Sequence, residues 1–241
     1  MAFSILPALD VWHGRLAVVT SEGITPVSAF DGDPVAAARA AVAAGARALH
    51  VVDLDLAFGG MPGLDVAAFR AVAPGATLQV SGGIGDAATG RSYLAAGADR
   101  FVLGSSALAD DRVTLAVLRD GGPGVVIGIE VDGGRIRARG AGRADDADGF
   151  DLMSTLGWLH AAGAPAFLVT SIDRVGGLAG PDIDLVRRVA RAGRPTFAAG
   201  GVRSIEDLRA LRAAGAAGAV VGRAALEGRI DLGGALAWAE A

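Results

Sequence analysis

The chain has 241 residues and no cysteine. Disulfides, thiolate nucleophiles and cysteine metal sites are therefore excluded. Lysine is missing as well: all 22 basic residues are arginine. That rules out Schiff-base chemistry on a lysine and a lysine-anchored pyridoxal phosphate. No apolar run approaches the roughly 20 residues that span a bilayer, so no membrane partner is expected. The formal net charge is −4, which argues against a general affinity for polyanions and hence against a nucleic-acid partner. The first residues run directly into a strand-like stretch, Phe3 to Leu9, without a basic region, apolar stretch and cleavage site. A cytoplasmic location is expected.

With 52% hydrophobic residues, the chain can bury a large core. Continuous apolar runs fall at 3–9, 48–53, 77–81, 100–103, 124–129, 166–170, 195–199 and 218–221. Unbroken runs of this kind suit parallel strands covered on both faces. Helix punctuation separates them. Asp33-Pro34 opens a helix that Gly45 closes, Asp86 opens one ending at Gly97, and Ser204 to Asp207 forms a capping box for one ending at Gly215. Eight strand–helix units predict an α/β fold, a (β/α)8 TIM barrel. No linker divides the chain, so residues 1–241 are expected to form one domain, most simply a monomer.

The sequence also repeats. "VVDLDLAFGG" at 51–60 matches "VTSIDRVGG" at 169–177, "VSGGIGD" at 80–86 matches "AAGGVRS" at 198–204, and "VLGSSAL" at 102–108 matches "VVGRAAL" at 220–226. Asp55 and Asp173, Gly82 and Gly200, Gly97 and Gly215, and Gly104 and Gly222 are each 118 apart. One such match is weak; four at one offset predict two half-barrels. The first strand matches the fifth at a slightly larger offset, setting Asp10 against Glu130.

The repeated glycines end strands, and strand ends carry the active sites of barrels. Gly82, Gly83, Gly104 and Ser105 are expected to form one phosphate cradle. Gly200, Gly201, Gly222 and Arg223 form its copy. Glycine lets backbone N–H groups approach an anion, and a following helix start adds a favourable dipole. Two cradles across one mouth imply a ligand with a phosphate at one or both ends. Asp10 and Glu130 then stand as acid–base candidates between the cradles. Thr170 is a candidate hydrogen-bond donor, and Asp173 follows it. Of Asp53 and Asp55, one is expected to position substrate or a loop. His50 reads as a packed, satisfied histidine, and His13 as a loop residue near the mouth. The long charged loop at about 132–149 carries Arg135, Arg137, Arg139 and Arg143, suited to gripping an anion from a lid. No three groups have a metal spacing, so no metal is expected.

The segments "LPALDVWHGR", "HVVDLDLAFGG", "SGGIGD", "GSSAL", "GGLAGPDIDL" and "AAGGVRSIEDLRAL" resemble the ProFAR isomerases of histidine biosynthesis along the whole chain. "VDLDLAFG" is most similar to the actinobacterial form, which also isomerises phosphoribosylanthranilate for tryptophan. "TSIDR" is similar to the related cyclase. The resemblance implies a cofactor-free Amadori rearrangement of a phosphoribosyl substrate. An acid opens the ribose ring to a Schiff base, and a base removes the C2 proton to give an enolamine. Asp10 matches the family's base, Thr170 its strand-six threonine, and Gly176 its substrate-binding glycine.

Four positions depart from the family pattern. Val175 stands where the family has its acid. Glu130 replaces an aspartate. Ala141 replaces the lid tryptophan, and an arginine near Val18 or Val19 is missing. The expectation is an isomerase with an altered site, in which Asp173 or Glu130 supplies the proton. The alternatives are a paralogue acting on another phosphoribosyl compound, or a non-catalytic phosphosugar-binding protein.

Overall fold

A computed structural model of the protein describes residues 3–20, 22–137 and 149–241. Eight parallel strands form its centre: β1 (Ser4–Trp12), β2 (Ala48–Asp53), β3 (Thr77–Ser81), β4 (Arg100–Leu103), β5 (Val125–Asp132), β6 (Phe167–Ser171), β7 (Thr196–Ala199) and β8 (Gly218–Val221). Each pairs with the next, and β8 pairs with β1, so the sheet closes into a (β/α)8 barrel. The strand starts and ends lie within three residues of the apolar runs.

Two apolar layers follow from the alternation of side chains along each strand. Leu6, Ala8, Ala48, Val102, Val126, Leu168, Phe197 and Val220 pack inside the barrel. Ile5, Leu9, Leu49, Val51, Ile127 and Val169 face outward, against the surrounding helices. The same alternation fixes the mouth. Asp10 shares parity with Leu6 and Ala8, Glu130 with Val126, and Thr170 with Leu168. All three carry their side chains to the C-terminal end of the barrel interior.

The outer helices start where side chains can satisfy their free N–H groups. Asp33 accepts from Val35 and Ala36 ahead of Pro34–Ala43, and Asp86 accepts from Thr89 ahead of Ala87–Ala95. Ser204 accepts from Asp207 ahead of Ile205–Ala213. A cap of this kind contributes about 1 kcal/mol.

The twofold repeat extends to backbone angles. Asp86 and Ser204 have φ/ψ of −150°/167° and −150°/169°. Gly82 and Gly200 have φ of 104° and 94°, and Gly83 and Gly201 of 65° and 80°. These glycines allow close backbone approach. A Cβ on Gly82 would lie 2.1 Å from the Asp53 carbonyl oxygen, and one on Gly201 2.3 Å from that of Gly180.

Two additions decorate the mouth. An antiparallel hairpin, Arg15–Thr20 with Gly23–Pro26, continues β1. A short ribbon pairs Ile136 with Phe150 beyond β5.

Candidate active site

The C-terminal end of the barrel opens into a cavity of about 1350 Å³. Asp10 and Glu130 line it from β1 and β5, opposite walls of an eight-stranded barrel. Thr170 is buried at the cavity edge and lies in register with Glu130 on the neighbouring strand. Asp173, just beyond β6, also lines the cavity. Its carboxylate accepts a hydrogen bond from the Ser171 hydroxyl at 2.6 Å and lies 3.3 Å from Arg174.

Both glycine sets reach this cavity: Gly82, Gly83, Gly104 and Ser105 on one side, Gly200, Gly201, Gly222 and Arg223 on the other. They are not identical in detail. The Ser105 hydroxyl is buried, donates to the Gly128 carbonyl at 3.0 Å and accepts from the Glu130 N–H at 3.1 Å. Its side chain therefore holds β5. Arg223 donates to the Gly176 carbonyl at 2.8 Å and pairs with Glu227. Gly176 presses on the hairpin: a Cβ there would lie 2.4 Å from the Val19 carbonyl oxygen. Loop, hairpin and Arg223 thus meet beside the second glycine set.

Asp53 and Asp55 take different tasks. Asp53 is buried and accepts from the N–H groups of Leu56, Gly63 and Leu64, and from the Tyr93 hydroxyl at 2.7 Å. It folds the β2 loop into place. Burial, followed by the bond to Asp53, pushes the Tyr93 phenol well above its ordinary range. Asp55 binds His13 twice, through the backbone N–H at 2.9 Å and the ring Nδ1 at 2.8 Å. That contact ties the loops after β1 and β2 together.

Val175 lines the cavity, as do Val18 and Val19 of the hairpin. Arg137 lines it from the base of the charged loop. Arg139, Ala141 and Arg143 lie outside the described residues.

Sequence reasoning passed over one group. His50 is satisfied and packed, yet it also borders the cavity, with Gln79 2.8 Å from Nδ1 and the Ser81 hydroxyl 3.0 Å from Nε2. A glutamine inside the apolar run "TLQVS" was the available signal. Among the described residues, no group of three His, Cys, Asp or Glu side chains could hold a metal ion, and no helix is long and apolar enough to cross a membrane.

Comparison with known proteins identifies the family. The family model described as "Histidine biosynthesis protein" matches residues 4–231. A protein of Paracoccus denitrificans (strain Pd 1222) is 38% identical over 236 residues, covering 96% of this chain and 98% of the relative. One of Thermobifida fusca (strain YX) is 39% identical over 237 residues, covering 97% and 95%. One of Nocardioides sp. (strain ATCC BAA-499 / JS614) is 38% identical over 237 residues, with the same coverage. Each is named as the isomerase of an imidazole-4-carboxamide carrying two phosphoribosyl groups, the compound abbreviated ProFAR. With a family model over residues 4–231 and relatives 38–39% identical over nearly the whole chain, the chain belongs to the ProFAR isomerase family of histidine biosynthesis.

Proposed function

We propose that the protein isomerises ProFAR through a site whose acid differs from the family pattern. One observation carries this reading: carboxylates on opposite walls of one cavity, Asp10 and Glu130, stand between two glycine cradles. A bis-phosphorylated substrate spanning the cradles brings its reacting ribose between them. Each backbone cradle then neutralises one phosphate, and Arg223 adds charge at the second.

Asp10 serves as the base that takes the C2 proton of the Schiff base. Thr170 donates a hydrogen bond to a substrate oxygen beside Glu130. The proton for ring opening comes from Glu130 or Asp173, because Val175 has none to give. The same cavity admits phosphoribosylanthranilate, which has one phosphate. All these groups come from one chain, as suits a monomeric, single-domain enzyme without a cofactor.

Val175 in the cavity wall favours a second reading, a paralogue acting on another phosphoribosyl compound. Turnover assays on both substrates decide between them. ProFAR turnover by the purified chain, lowered about 10²–10⁴-fold in Asp10→Asn, is the expected result. No turnover of either substrate would rule out the isomerase reading and leave the second.

A further inference from the structure

The barrel interior holds one polar chain that the reaction above does not use. Gln79 is fully buried, His50 is 4% exposed and Ser81 8%. Gln79 Nε2 lies 2.8 Å from His50 Nδ1, and Ser81 Oγ lies 3.0 Å from His50 Nε2. The three positions sit on adjacent strands, with His50 in register with Gln79 and Val52 with Ser81. His50 and Ser81 border the cavity.

The closed barrel does not require this chain. Moved by the repeat offset, His50, Gln79 and Ser81 become Leu168, Phe197 and Ala199. The second half thus fills the same interior positions with apolar side chains, two of them buried in the inner layer. Buried polar groups without a packing need point to a task, since their desolvation must be offset by specific bonds.

We propose that Gln79, acting through His50, fixes the Ser81 hydroxyl as a hydrogen-bond donor to the ligand in the cavity. This rests on the cavity being the substrate site.

The polarity follows from counting donors and acceptors along the chain. The Gln79 amide N–H donates to His50 Nδ1, so the ring proton sits on Nε2. That Nε2–H donates to Ser81 Oγ. The serine oxygen is then occupied as an acceptor, and its own proton points to the cavity. The reverse arrangement turns the amide oxygen toward Nδ1–H and leaves the NH2 where Gln79 Oε1 now has no partner. A buried N–H pair without an acceptor is worse than an under-satisfied carbonyl. The Arg100 side chain, from the register partner of Gln79, adds a positive field that disfavours an NH2 there. Burial first, and Arg100 second, lower the His50 pKa from 6.5 to about 3. The ring is therefore neutral when it donates to Ser81. His50 and Gln79 are positioning residues; Ser81 touches the ligand.

Two measurements test this. The first is the imidazole ¹⁵N pattern of His50 in the full chain at pH 7. The neutral Nε2–H tautomer supports the proposal; the Nδ1–H tautomer or an imidazolium overturns it. The second is a double-mutant cycle on ProFAR kcat/KM with Gln79→Met and Ser81→Ala. Each single change is expected to lower it about 10-fold, and the double variant to be no worse than Ser81→Ala. Multiplying losses overturn the proposal, because Gln79 would then act independently of Ser81. Absence of ProFAR turnover in the unmodified chain is a failure of the functional reading; the tautomer measurement still decides the relay.

Discussion

The two halves of the barrel agree where they carry glycine and differ where they carry polar side chains. The turns after β3 and β7 have nearly the same backbone, down to the helix caps at Asp86 and Ser204. The loops after β2 and β6 do not. Asp53 gathers four donors, including Tyr93, while its repeat partner Ser171 donates one bond to Asp173. The interior shows the same contrast, with His50, Gln79 and Ser81 facing Leu168, Phe197 and Ala199 across the pseudo-twofold axis. Duplicated backbone suits a common task, which under the proposed function is holding phosphate at both ends. Divergent side chains suit chemistry, which acts on one ribose and needs the two walls to differ.

The largest expected effect breaks the β2 loop. Asp53→Ala leaves Tyr93 and three N–H groups without their acceptor, and should lower unfolding stability by about 3 kcal/mol. Ser171→Ala at the equivalent position should cost about 1 kcal/mol or less. Urea unfolding of both variants checks the contrast, and equal losses would erase it.

Alanine at Gly82 or Gly201 should cost about 2 kcal/mol or more in either half, from a disfavoured φ and contact with a neighbouring carbonyl. Both variants should also weaken phosphate binding. Gly97→Ala has the same kind of φ, but its nearest contact is the Arg70 side chain at 3.4 Å. It should be milder and leave ligand affinity unchanged.

The pH response should come from the first half. His50 has a folded pKa lowered from 6.5 to about 3. The unfolded chain therefore takes up this proton first as pH falls. Stability from the neutral ring is fully present above pH 6.5 and is lost progressively toward pH 3, by about 2 kcal/mol at pH 5. His50→Leu, which copies the second half, should flatten that slope in denaturation curves taken between pH 7 and 5. An unchanged slope would assign the sensitivity elsewhere. Smaller still, Val175→Asp should raise ProFAR kcat/KM about 10-fold by adding an acid to the β6 loop. A drop instead would mean that the apolar wall serves the ligand.

Much of the barrel was legible because its signals are local. Apolar runs, Asp33, Asp86 and Ser204 as caps, and glycines at strand ends each report on their own neighbourhood. The offset of 118 added long-range information, since it predicts which loops face each other. Side-chain partnerships were harder. Nothing local says that Asp53 meets Tyr93, 40 positions away, or that the Ser105 hydroxyl is spent holding Gly128 and Glu130. The role of Gly176 was similarly hidden, because its contact is the Val19 carbonyl of a hairpin folded back over the mouth. His50 reads as a packed residue, correctly, but packing and a cavity position are compatible once a neutral ring is held between two partners.

Each half of the barrel is expected to hold one end of a bis-phosphorylated substrate. The direct measurement is the ³¹P spectrum of ProFAR titrated with Asp10→Asn, which keeps both cradles and turns over slowly. Both phosphate resonances should shift and saturate together at one equivalent. A shift of one resonance with the other unchanged, or of neither, would contradict two-ended binding.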